Sequence, residues 1–182
     1  MKNRLEKKLT QLKKSGRKAF VAFVTAGDPH LKHTPRVVAE LAAAGADVVE
    51  LGMPFSDPMA DGPVIQKSSE RALKAGTQLK GIFRAVESIR KSSDIPMLLM
   101  GYFNPILQYG IREFFEAAKL AGIDAVLIVD LPPEEGEEVR RAAKAEGISL
   151  VYLLSPTSDS KRIALVRRKG SGFIYYVSMT GI

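Results

Sequence analysis

No cysteine occurs anywhere in the chain, which excludes disulfides, zinc–thiolate sites and thiol chemistry. Histidine is nearly absent as well. His30 and His33 are the whole complement, and such a pair at a helix start reads as a solvated turn rather than a ligand set, so no metal is expected. Long apolar runs are missing: nothing approaches the ~20 residues of a membrane-spanning helix. The N-terminal charges are followed by no apolar run, so the start does not read as a signal peptide, and the cytoplasm is the expected location. There is also no glycine-rich turn after the first apolar run. Thr25-Ala26-Gly27-Asp28-Pro29 offers one glycine and places an acid where a phosphate would sit, which argues against a dinucleotide-binding sheet.

What is present suits a folded domain. Of the 182 residues, 46% are hydrophobic and 26% charged, enough apolar material for a sizeable core. The net charge is +7, with part of the excess in Lys2, Arg4, Lys7, Lys8, Lys13, Lys14, Arg17 and Lys18. A basic arm of this kind suits nucleic acid or a membrane surface. Against that, Leu5, Leu9 and Leu12 share one helical face and no aromatic is interleaved to stack a base. The segment therefore reads as an amphipathic helix with a solvated lysine face, and neither nucleic acid nor membrane is an expected partner.

Short apolar runs alternate with longer amphipathic stretches. The runs are Ala19–Ala26, Asp47–Gly52, Pro96–Tyr102, Ala125–Leu131, Ser149–Ser155 and Gly172–Met179. Most are apolar at nearly every position, as in a parallel strand covered on both faces. Helical patterns occupy His30–Ala44, opened by an Asp28-Pro29 cap, then Pro63–Ala75, Leu79–Lys91, Ile111–Leu120, Glu134–Ala145 and Ser158–Arg168. Gly122, Gly147 and Gly170 stand where left-handed helix ends are wanted. This succession predicts parallel βαβ units in one α/β domain over residues 1–182, closing as a barrel or opening as a doubly wound sheet.

The most informative stretch is Glu50-Leu51-Gly52-Met53-Pro54-Phe55-Ser56-Asp57-Pro58-Met59-Ala60-Asp61-Gly62-Pro63. Glu50 stands near the C-terminal end of an apolar strand, where burial raises a carboxyl's pKa and lets it hold a proton near neutrality. The plainer alternative is a glutamate satisfied by a lysine or by backbone donors. Asp61 returns a second acid at the end of a loop too elaborate for a simple connection. Its plainer alternative is an N-cap for the helix opened by Gly62-Pro63.

These residues, with Phe20–Pro29, Val64-Ile65-Gln66, Met100-Gly101-Tyr102-Phe103-Asn104-Pro105, Asp130-Leu131-Pro132-Pro133-Glu134-Glu135 and Tyr175-Tyr176-Val177-Ser178-Met179-Thr180-Gly181, resemble the alpha family of tryptophan synthase. The motifs run in family order along the whole chain. The resemblance implies a (β/α)8 TIM barrel, here about six of its eight βα units. It implies a lyase that splits indole-3-glycerol phosphate into indole and glyceraldehyde 3-phosphate in tryptophan biosynthesis. Glu50 matches the general acid/base that protonates ring carbon 3, and Asp61 the acid that receives the indole N–H. Phe23, Met100 and Leu127 match the walls of the indole pocket, and Tyr175, also expected to touch substrate, matches a tyrosine packed beside the catalytic glutamate, while Phe173 stands where some members have tyrosine. Asp57, Pro58, Asn104 and Pro132 fall in loops expected to dock a beta subunit in an alpha2beta2 tetramer. No cofactor is expected in this chain; pyridoxal phosphate belongs to the beta partner.

Two other functions stand beside this one. A non-catalytic activator of the beta subunit would have no need of both Glu50 and Asp61. An isomerase on the same barrel would not carry this Glu50–Asp61 loop. The chain departs from the family at its end: members are expected to run on for roughly a third of its length, through strands seven and eight and their glycine-rich phosphate-binding turns. A fragment, inactive and poorly soluble in isolation, is the expectation.

Overall fold

A computed structural model describes residues 3–178. Lys2 and the last motif residues, Met179, Thr180 and Gly181, lie outside the described residues. Six strands form one parallel sheet in sequential order: β1 (Val21–Thr25), β2 (Val48–Gly52), β3 (Met97–Gly101), β4 (Ala125–Ile128), β5 (Ser149–Leu154) and β6 (Ile174–Tyr176). Strict neighbour order with a helical crossover at each step is barrel winding; a doubly wound sheet reverses its order midway. The sheet is thus three quarters of a barrel wall.

Side chains alternate across it. Ala22, Val49, Leu51, Met97, Leu99, Val126, Ile128 and Leu150 face outward to the helices, meeting α2 (Thr34–Ala43) through Val38, α4 (Leu79–Arg90) through Ile82 and Val86, and α6 (Ile111–Ala121) through Phe114 and Phe115. The inner face is smaller: Val48, Leu98, Ala125, Leu127 and Val151, with Val21, Met100, Leu153, Phe173 and Tyr175 at its margin. Leu5 from α1 (Arg4–Lys14) packs against this inner face and is 1% exposed. The N-terminal leucine stripe is therefore the plug of the barrel floor.

The floor is pinned by polar groups. Asn3 caps α1 through Glu6 N–H (3.0 Å), and its amide donates to Asp124 O (2.8 Å) and Ser149 Oγ (3.0 Å). Asp124, buried, accepts from Arg90 Nη2 at 2.8 Å, Arg4 Nη1 at 3.3 Å and the Met97 N–H at 3.0 Å. Each buried carboxylate oxygen is thereby compensated, the condition for a buried charge to be tolerated. Lys8 pairs with Asp47 at 3.3 Å, so part of the basic arm is structural.

Several boundaries differ from the sequence expectation. Asp28 caps no helix; it forms a two-pronged ion pair with Arg71 of α3 (Pro63–Lys74), 2.8 and 2.7 Å, after which Leu31–His33 makes a 3-10 turn and α2 begins only at Thr34. Arg71's planar fork captures the aspartate that the cap would have used. Asn104 and Pro105 lie in a short helix, α5 (Phe103–Tyr109), not in a loop. The intervening Gly110, at φ 94°, turns α5 into α6. Helix α7 (Glu137–Ala145) starts three residues later than expected. Gly122 and Gly147 do take positive φ, 98° and 65°, but Gly170 after α8 (Ser160–Lys169) is extended at φ −81°, and Gly172 supplies the left-handed turn instead. Among the described residues no helix is long and apolar enough to cross a membrane.

Candidate active site

Glu50 is the central residue of β2, and alternation turns it inward. It is 3% exposed, and its Oε1 has no hydrogen-bond partner among the described residues. Its register partners are Phe23 on β1 and Leu98 on β3, neither able to accept or donate. Burial alone raises its pKa from 4.5 to about 7. The plainer alternative, a glutamate met by lysine or backbone donors, is thus not what the fold builds. An unpaired carboxyl in an apolar wall holds its proton near neutral pH because the charged form loses its water and gains nothing in return.

One residue pair higher lies the row Thr25, Gly52, Met100, Leu127 and Val151. Gly52 is required here: a Cβ on it would meet the Phe23 ring at 2.6 Å, so its bareness is what lets that ring lie across the strand end. Gly101 does the same for Met53, whose Cε a Cβ would meet at 2.5 Å.

The loop of residues 53–62 then leaves β2 and delivers Asp61 back to the strand ends. Asp61 is not a helix cap: the cap position of α3 is Gly62, with no side-chain hydrogen bond, while Asp61 O accepts from the Gln66 amide at 2.8 Å. Its half-buried carboxylate is raised in pKa by desolvation, partly offset by a hydrogen bond from the Tyr102 hydroxyl. Asp61, Phe23, Thr25, Met100 and Tyr102 share a cavity of about 20 Å³ at the ends of β1–β4, room for about one water. Glu50, Leu127 and Tyr175 do not line it. Glu50 stands one register step beneath, through its partner Phe23; Leu127 is fully buried in the inner face; Tyr175 is half-buried on β6. Tyr175 is nonetheless near enough to Glu50 to feel it, because burial and then the Glu50 carboxyl raise the phenol's pKa.

The residues expected at a docking surface split in burial. Asp57 and Asn104 are exposed, and Pro58 and Pro132 half-buried, all on loops or α5 at the C-terminal ends of the strands. His30 and His33 are exposed, and the His30 Nδ1 accepts from the Lys32 N–H. The residue that sequence reasoning passed over is Tyr102. It was quoted within a motif but given no role, although a tyrosine ending an apolar strand must place its hydroxyl somewhere. A cavity of about 690 Å³ opens at the opposite pole beside α1, lined by Arg4, Arg90 and Asp124, and belongs to the structural floor.

A curled parallel sheet with helices outside, and with a proton-holding acid turned inward near its C-terminal strand ends, is the frame of a barrel enzyme. The family model of the tryptophan synthase alpha chain matches residues 9–182. A tryptophan synthase alpha chain from Geobacter sp. (strain M21) is 57% identical over 180 residues, covering 99% of this chain and 67% of its own length. The crystal structure of tryptophan synthase subunit alpha from Legionella pneumophila str. Paris superposes with a TM-score of 0.95 at 43% identity, over 98% of this chain and 68% of that one. A tryptophan synthase complex from Pyrococcus furiosus gives a TM-score of 0.83 at 40% identity, over 87% and 65%. The chain belongs to the tryptophan synthase alpha chain family, lyases of tryptophan biosynthesis built on TIM barrels. It spans about two thirds of the length of these relatives, which are therefore longer by about half of its own length rather than the expected third.

Proposed function

We propose that this chain, as part of one barrel domain, supplies the acids that cleave indole-3-glycerol phosphate to indole and glyceraldehyde 3-phosphate, with Glu50 as general acid/base and Asp61 as the acceptor of the indole N–H. The carbon–carbon bond breaks only when the ring takes up its electrons, and protonation at ring carbon 3 makes that possible. Glu50, with a pKa of about 7, has both its neutral and charged forms available near neutrality, so one group gives a proton to the ring and takes one from the glycerol hydroxyl as the aldehyde forms. Positive charge develops on the ring nitrogen in the same step, and a half-buried Asp61 carboxylate opposes it with little water to screen the interaction. Phe23, Met100, Leu127 and Tyr175 supply apolar walls and orient the flat ring.

The observation that carries this reading is the unpaired, inward Glu50 at 3% exposure. In the same reading Asp57, Pro58, Asn104 and Pro132 dock a beta subunit, in keeping with the complexes formed by the Pyrococcus furiosus relative. The pyridoxal phosphate belongs to that partner, and this chain carries no cofactor of its own. The assembly works in the cytoplasm. Glu50→Gln tests the chemistry: indole release from indole-3-glycerol phosphate falls by about 100-fold or more, the scale of a lost general acid, while activation of the beta subunit is kept. Indole release that survives the substitution removes Glu50 from its role.

A further inference from the structure

Tyr102 follows β3, precedes α5 and is 2% exposed. Its hydroxyl accepts the Ala60 N–H at 3.0 Å and shares a small cavity with the Asp61 carboxylate, close enough to hold that group's pKa down against desolvation. Its ring lies 5.2 Å from that of Phe55, centroid to centroid, at 31°. All three contacts fall on the loop of residues 53–62, near both of its ends. That loop is otherwise weakly held: Ser56, Asp57, Met59 and Ala60 are exposed. Its other ties include the Met53 N–H to Met100 O at 2.7 Å, the Gln66 side-chain amide to Asp61 O at 2.8 Å, the Gln66 N–H to Gly62 O at 3.0 Å and, within the loop, Ser56 Oγ to the Asp57 carboxylate. Among the described residues no cation pairs with the Asp61 side chain.

We infer that Tyr102 is the positioning residue for Asp61, fixing the loop and aiming its carboxylate at the strand ends; this rests on the reaction proposed above. An aromatic that merely filled space could be phenylalanine. That ring would fill the same volume and keep the Phe55 contact, losing only the hydrogen bond to Ala60 and the hydroxyl's interaction with Asp61. A carboxylate on an exposed loop samples several rotamers unless something selects one, and a misplacement of about 1 Å costs up to 100-fold in rate. The hydroxyl also helps Asp61 stay charged. The groups facing Asp61 and Tyr102 are each other and, from the loop after β4, Asp130, whose charge acts on the phenol. Among the described residues no histidine, lysine or arginine takes the hydroxyl's place.

The experiment uses the chain assembled with its partner subunit and follows indole release from pH 5 to 9 in wild type, Tyr102→Phe and Asp61→Asn. Tyr102→Phe lowers kcat by about tenfold and leaves KM within about twofold. It also moves the acid limb of kcat/KM to higher pH, because Asp61 without its hydrogen bond takes up a proton sooner as pH falls. An unchanged kcat, or a fall in kcat with an unmoved acid limb, overturns the positioning role while an inactive Asp61→Asn leaves the proposed reaction standing. A fully active Asp61→Asn overturns the reaction itself. Should Tyr102→Phe melt below assay temperature, 3-fluorotyrosine at position 102 keeps the shape and donates more strongly. The acid limb then moves to lower pH, and a limb that stays in place overturns the inference.

Discussion

Replacing Glu50 by glutamine reports on folding as well as on chemistry. The carboxyl has an ordinary pKa of 4.5 in the unfolded chain and about 7 in the fold, for the single cause of burial. At about 1.4 kcal/mol per tenfold, the charged form is disfavoured in the fold by about 3 kcal/mol. Below pH 4.5 both states are protonated and the site costs nothing. Between 4.5 and 7 the unfolded chain ionises first and binds fewer protons, so stability falls as pH rises. Above 7 the penalty is complete. Glutamine never pays it, and whatever a buried amide costs is the same at every pH. Urea unfolding of wild type and Glu50→Gln, at pH 4 and pH 8, isolates the difference. The variant's stability relative to wild type rises by about 3 kcal/mol between the two. Asp28, Asp47 and Glu137, whose pKa values the fold lowers, titrate in both proteins and cancel. An equal difference at the two pH values would refute the desolvated carboxyl, and with it the argument that Glu50 is ready to exchange a proton.

Two further outcomes test the frame. Arg90→Met leaves Asp124 buried with only Arg4 for a charged partner and costs about 3 kcal/mol in a thermal or urea melt; a loss under 1 kcal/mol would mean that Arg4 and the Met97 N–H suffice. Gly27→Ala puts a Cβ into Thr77 at a backbone φ of +89° and destabilises by about 2 kcal/mol or more, of which Thr77→Ala in the double variant returns the steric part, leaving the backbone part. Purely additive effects in that cycle would show that the two residues do not touch.

Much of the architecture was legible because parallel strands covered on both faces leave an unmistakable run of apolar residues, and all six were found within a few positions. Failures gathered where side chains override local pattern. Asp28-Pro29 has the form of a cap, but Arg71 lies 43 positions away in the chain and no local rule foresees the pairing. Phe103–Tyr109 has a proline in its first turn, which looked like a loop and is in fact where a helix tolerates one. Gly170 and Gly172 lie two apart, and which one turns left-handed depends on packing against Ser149 and Leu5. At the site, Glu50 was legible from an acid among valines and leucines. The role of Tyr102 was not, since its hydroxyl reaches back some forty residues, to Ala60 and Asp61 in a loop without periodicity.

A cylinder stoppered at its base by Leu5 and riveted there by Asn3 behaves as a cup. Its two poles answer to different pressures: changes at the base alter how hard the vessel is to break, and changes at the rim alter what it does. A dye attached to an exposed base lysine such as Lys7 would accordingly be a clean gauge of melting, blind to turnover.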